Sequence, residues 1–592
     1  MSIKRANVSL ASVTLRLQDM VMPLTMNILE TNAFKARPWM NRFAAALLTA
    51  VLWWWSFPPM DFSLLIMVAL VPLLWLAEPF AQGIRMPFVF GAMLAAFGLG
   101  TWWVYHAALI GAVAGVVANA GYVTVALWIY RTLCRKAGDT MDKKPWLTWI
   151  FWISPWLAME YVHQRIDLDF PWMLLGHAMA NHPSWIQFYE WTGVAGGSLW
   201  ILSVNFWAYR AWMHAPKGRV RSWVPALLAF ILPWGYSQWR YATYQPIGDA
   251  VKVAAIQPNM DPYTVKFDPS TYEEQMRIML ALSDSAADAA LVLWPETALP
   301  GFYQTGNAAP ANPYADQLMA HHRLHPEQAW IVGASTVEWH QDKEHAGPYA
   351  RCLDQGGLRW YTAYNSSLGF PPLRLETDAA MPLLYHKSKL VIGVEKLPYP
   401  WFFQAVSKVI SVDLGGMSGQ LGKQTAQIPM TMPLMHPSPR DSKGKHLQRI
   451  PLKAATLICY ESIFGEFCGE FVRNGANLLC VMTNDGWWGP TDGHRQHLAW
   501  ARLRAIEYRR DVLRSANTGI SATMNQRGDL LDSLGWDQRG LVKGQLRLNP
   551  AMTYYARHGD YIGRIAGMIT ILTLLIAWVR QRIPTKPLKA HP

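Results

Sequence analysis

The sequence predicts a fold in two parts: an α-helical membrane bundle of about eight spans, and an α/β domain inserted before the last span. Composition is the first reason, because hydrophobic residues make up 52% of the 592 residues and charged residues only 16%, against about 25% charged in typical soluble domains. The second is the mean hydropathy of +0.06, which is too low for a chain embedded in lipid throughout. Third, the apolar stretches lie on either side of a long segment, residues 245–556, with α/β patterning.

The chain begins with a basic extension, residues 1–37, that lacks the apolar run and cleavage site of a signal peptide and is therefore expected to be retained. A membrane domain, residues 38–244, follows. Its apolar stretches, and a last one before the tail, approach the 17–25 residues of a membrane-spanning helix. They lie at 40–57, 61–77, 87–109, 110–134, 146–162, 194–213, 222–239 and 561–580.

The placement of basic residues predicts the topology. Lysines and arginines crowd before the first span, at 131–144, at 214–221 and after the last span. With eight spans these clusters share one side, which the positive-inside rule makes the cytoplasm. Both termini, including the tail 583–592, are then cytoplasmic, and residues 245–556 lie on the opposite face before the final span, 557–582. The net charge of +13 is explained by these loops, so no nucleic-acid partner is predicted.

The segment 245–556 alternates strand-like and helical patterns, as α/β domains do. Predicted strands cover 251–256, 289–294, 329–335, 454–459 and 476–482, and predicted helices cover 271–287 and 494–510. Residues 413–449, rich in Gly, Ser, Pro and Lys, are predicted to be a surface loop or insertion.

Three residues of this segment are candidates for catalysis. Glu296 follows a strand and could act as a general base, Lys387 lies in a basic cluster, and Cys459 ends an apolar strand. A cysteine at a strand end can expose its sulfur with the next backbone N–H aimed at a developing oxyanion. Each residue also has a plainer interpretation: a turn acid, a solvated basic face and a core cysteine.

Together, the motifs WPE at Glu296, YHK at Lys387 and ICYE at Cys459 resemble the nitrilase, or carbon–nitrogen hydrolase, superfamily. The resemblance continues through residues 482–522. It implies an αββα sandwich and a Glu–Lys–Cys triad. Glu296 would accept the thiol proton, and Lys387 would hold the oxyanion together with the backbone N–H of Tyr460.

The segments SPWLAMEYVHQR, DFPWMLLGHAM and WTGVAGGSLWI, with a nitrilase-like domain before the last span, resemble the apolipoprotein N-acyltransferase family. The resemblance implies acyl transfer from a phospholipid, through a thioester on Cys459, to the N-terminal amine of a diacylglyceryl-cysteine lipoprotein, the last step of lipoprotein maturation. It also implies a bacterial inner membrane, with the catalytic domain in the periplasm. No cofactor is expected.

Supporting roles also follow from the resemblance. Glu395 would orient Lys387 or the thiol, and Glu461 would support the nucleophile turn. Phe267, Trp487 and Trp488 are candidates for substrate binding. Two departures stand out: the chain reads LVIGVE at 390–395 where the family commonly has LVPFGE, and it has Phe267 where the family has a tryptophan.

Two other functions compete with this interpretation. One is a membrane-tethered nitrilase-type amidase that hydrolyses a small amide with the same triad. The other is a transporter or receptor with an inert nitrilase-like domain, against which all three triad residue types are present. No metal site is predicted, because His494 and His497 lack an evident third ligand.

Overall fold

A computed structural model describes residues 38–138, 144–213, 220–305, 312–353, 359–375, 382–396, 398–399, 421–437 and 447–582. The predicted extension 1–37, the tail 583–592, and residues 413–420 and 438–446 of the predicted insertion lie outside the described residues.

We term residues 38–244 and the C-terminal helix Tyr561–Arg582 the membrane half. Residues 38–244 form helices that follow the apolar stretches. Their bounds are α1 (Pro38–Ser56), α2 (Ile66–Ala69), α3 (Val71–Leu76), α4 (Met86–Thr101), α5 (Leu109–Ala137), α6 (Pro145–His163), α7 (Tyr189–Met213) and α8 (Val224–Thr243). By length and composition, three stretches of the described chain could each cross a membrane as one helix: Met86–His106, Gly111–Ala137 and the C-terminal helix Tyr561–Arg582.

The apolar stretch 61–77 does not form one helix, because α2 and α3 are separated at Leu70. The Leu70 backbone N–H donates to Asn205 Oδ1 of α7 at 2.8 Å, and Asn205 Nδ2 donates to the Ile66 carbonyl at 2.8 Å. A side chain from another helix thus bonds backbone groups at the break. The hydropathy pattern finds the apolar segment but not this interruption.

The α/β segment, residues 245–556, which we term the catalytic half, holds four further helices and fourteen strands among the described residues. The helices are α9 (Tyr272–Asp284), α10 (Pro313–His322), α11 (Gly465–Arg473) and α12 (Gly493–Tyr508). A short helix, α13 (Tyr554–His558), leads into the C-terminal helix α14 (Tyr561–Arg582).

The strands form two sheets. The first has the order β14-β1-β2-β4-β6-β5, with β3 added to β4 and β7 to β6, and the second has the order β13-β12-β11-β10-β9-β8. Strands of the first sheet are β1 (Asp249–Gln257), β2 (Leu291–Leu293), β3 (Leu299–Thr305), β4 (Ala329–His340), β5 (Arg351–Cys352), β6 (Trp360–Phe370), β7 (Leu383–His386) and β14 (Gly540–Leu548). Those of the second are β8 (Met430–Pro437), β9 (Leu447–Ile458), β10 (Leu478–Thr483), β11 (Val512–Ala516), β12 (Ser521–Met524) and β13 (Leu530–Leu534).

The two sheets pack face to face, and Ser515 Oγ of β11 donates to the Ile256 carbonyl of β1 at 2.6 Å. On the first sheet, Met276 and Met279 of α9 pack in one buried cluster with Trp294 and Trp330. The nitrilase-like α/β domain is therefore present, with helices over buried sheets.

Strand β8 and the first residues of β9 lie inside the segment predicted to be a surface loop or insertion, so the loop prediction is wrong for residues 430–437 and 447–449. Met430, Met432 and Leu434 are buried, with the period of two that places alternate side chains on one face of a strand. β8 pairs antiparallel with β9. The Gly, Ser and Lys content of the flanking residues obscures this short alternation.

Candidate active site

Glu296 lies in the turn that follows β2, just beyond the residues of β2 that pair in parallel with β4. The next residue, Thr297, has a φ of +48°, in the left-handed region that costs a non-glycine residue free energy. Gly333 of β4 permits the close approach of this turn, since a Cβ there would lie 2.1 Å from the Pro295 carbonyl oxygen. The backbone thus holds Glu296 in one position.

Lys387 comes directly after β7, and its backbone N–H donates to the Asn365 carbonyl of β6 at 2.8 Å. Its Nζ lies 3.1 Å from Glu296 Oε1 and 2.9 Å from Glu395 Oε1, with the Lys387 side chain 1% exposed. Asn365 Nδ2 donates to the same two oxygens, at 2.7 Å and 3.2 Å. The buried ammonium is therefore held between two carboxylates.

The departure LVIGVE leaves Glu395 in contact with Lys387. The turn closes on itself, because the Glu395 N–H donates to the Val391 carbonyl at 2.9 Å and Glu395 Oε2 accepts the Val391 N–H at 2.8 Å.

Cys459 follows β9 and is buried, with 6% of its surface exposed. Its φ of +52° is a strained conformation for a cysteine, of the kind found at active sites. Thr483, at the end of the neighbouring strand β10, donates its hydroxyl to Asp485 Oδ1 at 2.7 Å. Cys468 of α11 and Cys480 of β10 are fully buried, whereas Cys459 keeps 6% of its surface exposed.

The charges of the three triad residues act on one another. Burial is the main cause that raises the pKa of the Cys459 thiol; Glu296 raises it further and Lys387 opposes both. Burial lowers the pKa of Lys387, but Glu296 and Glu395 outweigh it, so that pKa is raised overall. At neutral pH the site therefore holds a neutral thiol beside a permanent ammonium, and the thiol needs a base to become a nucleophile.

Glu461 supports the nucleophile turn through hydrogen bonds of its carboxylate. Its Oε1 accepts from Tyr385 Oη at 2.7 Å and from the Ser388 N–H at 2.6 Å, and its Oε2 accepts the Ile458 N–H at 2.8 Å. This carboxylate joins the chain before Cys459 to the chain after Lys387. Tyr460 points the other way, and its hydroxyl donates to the carbonyl of Asp169 in the membrane half.

No sequence motif predicts the buried hydrogen-bond network that lies behind Cys459. His497 Nε2 lies 3.1 Å from the Cys459 carbonyl and its Nδ1 2.9 Å from Asp485 Oδ1, while Arg514 Nη2 donates to Asp485 Oδ2 at 2.6 Å. Burial raises the pKa of Asp485, but the charges of Arg514 and His497 prevail and hold it at about 2. The position of Asp485 after a strand was the available signal; its partners are distant in sequence.

Three more groups that hold Glu296 were also missed. Besides Asn365, the Asn484 backbone N–H donates to Glu296 Oε2 at 3.0 Å, and Lys266 Nζ donates to the Glu296 carbonyl at 2.9 Å. Burial lowers the pKa of Lys266 to about 8, against the charge of Glu296. A lone asparagine or lysine carries no motif that would single it out.

The three aromatic candidates divide into two groups. Phe267, half-exposed, stacks on Trp487 with ring centroids 6.0 Å apart. Trp488 packs instead against Trp103 and Trp172 of the membrane half, at 4.8 Å and 5.6 Å. Phe267 and Trp487 therefore form an aromatic surface, whereas Trp488 joins the two halves.

His494 and His497 turn to different partners, since His494 packs against Trp536 with centroids 4.6 Å apart and His497 belongs to the Asp485 network. Among the described residues, one other group has the composition of a metal site: Asp284, His321 and His325, whose ligand atoms all lie within 4.8 Å of one another.

Two facing sheets with a cysteine, a glutamate and a lysine at the strand ends are the arrangement of a carbon–nitrogen hydrolase domain. The carbon–nitrogen hydrolase family model matches residues 252–554, and the model of the apolipoprotein N-acyltransferase N-terminal domain matches residues 49–207. The chain belongs to the apolipoprotein N-acyltransferase family.

Relatives match both halves of the chain. An apolipoprotein N-acyltransferase of Chlorobaculum tepidum is 27% identical over 547 residues, covering 89% of this chain and 94% of its own. One of Bradyrhizobium diazoefficiens is 30% identical over 449 residues, covering 73% and 72%. Among solved structures, Nit3 of Saccharomyces cerevisiae, a nitrilase-superfamily member, is 15% identical with a TM-score of 0.32 and covers 59% of this chain and 99% of that chain.

Proposed function

We propose that this membrane enzyme transfers an acyl chain from a phospholipid, through a thioester on Cys459, to the N-terminal amine of a diacylglyceryl-cysteine lipoprotein. Membership of the apolipoprotein N-acyltransferase family supports the overall reaction. The observation that carries the catalytic assignment is the buried contact of Lys387 with Glu296 and Glu395, beside a cysteine in a strained turn.

In the first half-reaction, Glu296 accepts the proton of the Cys459 thiol, and the thiolate attacks the ester carbonyl of the phospholipid. The oxyanion forms beside Lys387 Nζ and the backbone N–H of Tyr460. Each such donor lowers a barrier of this kind by about 3–4 kcal/mol. The ester C–O bond then breaks, the lysophospholipid oxygen takes the proton from Glu296, and the acyl group remains as a thioester.

In the second half-reaction, the α-amine of the lipoprotein attacks the thioester carbonyl. Glu296 accepts the amine proton as the amide bond forms. The C–S bond then breaks, and the proton returns to Cys459. The sequence is ping-pong, because the first product leaves before the acceptor reacts.

The partly exposed Phe267–Trp487 pair supports a role in binding the lipid substrates, since large aromatic rings bind apolar groups and tolerate an interface with water. Tyr263 belongs to the same surface: its hydroxyl donates to the Trp487 carbonyl at 2.8 Å, and the His106 carbonyl, at the end of a membrane-half segment, lies 3.1 Å from the same hydroxyl oxygen. The aromatic surface therefore adjoins the membrane half.

We place the enzyme in the bacterial inner membrane with eight spans, the pair α2 and α3 counting as the second. The basic clusters then face the cytoplasm with both termini, and the catalytic half faces the periplasm. This placement brings the site to the bilayer surface, where both lipidated substrates lie.

The test measures transfer of the acyl chain to the acceptor peptide. Purified enzyme receives a diacyl phospholipid in detergent, with phosphatidylethanolamine and phosphatidylglycerol tried separately, and then a synthetic diacylglyceryl-cysteine peptide. Appearance of the N-acyl peptide, and its absence with Cys459→Ala, is expected. Hydrolysis of a small amide such as glutamine, without N-acyl peptide, would replace this proposal with the membrane-tethered amidase.

A further inference from the structure

One acidic residue of the membrane half contacts residues next to the catalytic triad in sequence. Asp169 lies in the loop after α6, which we term the docking loop, residues 164–172, and its side chain is 3% exposed. Asp169 Oδ2 lies 3.1 Å from Lys389 Nζ, and its Oδ1 lies 2.8 Å from Lys396 Nζ. A single buried carboxylate thus holds two ammonium groups.

Each of these two lysines lies close in sequence to a charged residue of the site. Lys389 is two residues after Lys387, and Lys396 directly follows Glu395. The carbonyl of Asp169 also accepts the hydroxyl of Tyr460, the residue next to the nucleophile. One residue of the docking loop is therefore tied to both chain segments that form the oxyanion site.

The docking loop is itself fixed by the membrane helices. Its Phe170 N–H donates to His163 Nε2 of α6 at 3.1 Å, and the Phe170 carbonyl accepts from Asn119 Nδ2 of α5 at 3.2 Å. Movement of these helices would therefore be transmitted to Asp169 and on to the catalytic turn. Displacing a catalytic group by about 1 Å can cost about a hundredfold in rate.

We propose that Asp169 is a positioning residue that aligns Lys387, Glu395 and the Cys459 turn against the membrane half. The proposal rests on the proposed thioester chemistry, because the step it controls is acylation of Cys459. Asp169 touches no reacting atom and acts through Lys389, Lys396 and Tyr460.

The experiment measures the single-turnover rate of Cys459 acylation by intact mass, at a series of phospholipid concentrations in detergent. Asp169→Asn removes the charge that pairs with both lysines. Asp167→Asn is the matched control, since Asp167 is an exposed acid of the same loop whose carboxylate accepts only the Tyr399 N–H, at 3.3 Å, among the contacts described. The expected maximal rate falls by about ten- to a hundredfold in Asp169→Asn, with half-saturation changed less than about twofold and Asp167→Asn close to wild type.

Asp169→Glu keeps the charge but shifts the carboxylate, so an intermediate rate is expected. Alkylation mapping shows whether the fold is intact, because Cys468 and Cys480 are fully buried and stay unlabelled in a folded protein. A wild-type rate in Asp169→Asn or in Asp169→Glu, or an equal loss in Asp167→Asn, overturns the inference while the thioester chemistry stands. Absence of any adduct on the wild type would instead refute the proposed function.

A second inference rests on a different cluster, on the helical layer outside the first sheet. His321 Nε2 and His325 Nε2 lie 2.8 Å and 3.0 Å from the same oxygen, Asp284 Oδ1. The buried His321 Nε2 makes no aligned hydrogen bond despite its distance from that oxygen. His321 lies in the last turn of α10 and His325 in the turn that follows, so both imidazoles lie beside the end of α9 at Asp284.

We infer that Asp284, His321 and His325 bind a divalent transition-metal ion. Two imidazole nitrogens and one carboxylate oxygen form the donor set of open zinc sites, whose fourth ligand is water. The half-exposed Asp284 leaves room for that water, while the two histidine side chains are only 14% and 16% exposed. Calcium and magnesium prefer oxygen ligands, so this donor set disfavours them.

Isothermal titration of the untagged protein with ZnCl2 tests the site. One zinc ion per chain is expected, with affinity at least about tenfold lower in His325→Gln. His345→Gln is the control, since His345 is an exposed histidine paired with Asp342 at 2.7 Å and does not belong to the cluster. Equal zinc affinity in His325→Gln and the wild type, or an equal loss in His345→Gln, would refute the site.

Discussion

The catalytic half buries charge, whereas the membrane half exposes apolar surface. Arg504, Arg510 and Arg514 are each at most 1% exposed within the catalytic half, but Ile571 and Leu572 of α14 are 60% and 57% exposed. A soluble fold isolates fixed charges from water, which strengthens their action on reacting groups. Helices that expose apolar side chains suit contact with lipid. The difference matches the proposed function, in which one part supplies the chemistry and the other contacts the lipid.

The contact between the two halves combines a buried polar side chain with apolar aromatic rings. Gln496 of α12 accepts from Trp172 Nε1 at 2.7 Å and donates to the Pro58 carbonyl at 2.9 Å. Trp103 Nε1 donates to the same Gln496 oxygen at 3.2 Å. Aromatic rings from the membrane half thus enclose a polar side chain from the catalytic half. Gln496, 2% exposed, is thus bonded across the contact between the halves.

Removing the buried ammonium of Lys387 should have the largest effect. In Lys387→Met, Glu296 and Glu395 are left facing one another, so the free energy of unfolding should fall by about 3–5 kcal/mol. Thioester formation should slow by at least about 10³-fold because the oxyanion loses its main charge. Chemical unfolding in detergent and single-turnover acylation measure the two losses.

Lys252→Met is the control for that prediction. Lys252 forms only an exposed pair with Asp288, at 3.5 Å, and such pairs contribute about 0–1 kcal/mol. A similar loss in both variants would show that burial of charge is not what distinguishes the catalytic half.

The apolar face of α14 provides the next test. Ile571→Asp places a charge near the middle of the span and should cost about 2.5–3.5 kcal/mol of membrane insertion, whereas Val579→Asp, near the helix end, should cost less. Glycosylation mapping of insertion measures the difference. Equal insertion of Ile571→Asp and the wild type would contradict contact of this face with lipid.

The Asp485 network should make stability depend on pH. The folded-state pKa of Asp485, about 2, lies below the ~3.9 of an unfolded aspartate. Its stabilisation, about 2.6 kcal/mol, is therefore fully present above about pH 4 and is lost as the pH falls through about 2. Asp485→Asn should lower stability at pH 7, and its difference from the wild type should close between pH 4 and 2. Thermal unfolding across pH checks this, with exposed Asp532→Asn expected to match the wild type.

The smallest effect is expected at the aromatic surface. Trp487→Ala removes the partner of Phe267 and should raise half-saturation for phospholipid by about threefold, since an aromatic pair contributes about 0.5–1.5 kcal/mol. The maximal acylation rate should stay within about twofold, because neither ring belongs to the triad. A fall in maximal rate with unchanged half-saturation would place Trp487 in the chemistry instead of in lipid binding.

The sequence predicts the parts of this molecule that have local patterns. Hydropathy finds the apolar stretches, although only three stretches of the described chain are long and apolar enough to cross a membrane as one helix. The order of three short motifs indicates the α/β domain and its family. The interruption at Leu70 and strand β8 escape prediction, because the first depends on Asn205, 135 residues away, and the second on alternation over a few residues. Whether Glu296, Lys387 and Cys459 perform the predicted chemistry stays a prediction, although the structure brings them to one site.

The supporting residues could not be predicted for the same reason. Asn365 reaches Glu296 across 69 residues, and Asp169 reaches Lys396 across 227. Such contacts arise only when the sheets close and the halves dock. A single asparagine or aspartate carries no local signal of its distant partner.

The central claim is a thioester on Cys459, and intact-mass analysis after incubation with a defined phospholipid tests it most directly. We predict an added acyl mass on the wild type that hydroxylamine removes, that the diacylglyceryl-cysteine peptide discharges onto its amine, and that Cys459→Ala lacks. An unmodified wild-type mass under conditions that still yield N-acyl peptide, or an adduct that persists in Cys459→Ala, would contradict the account.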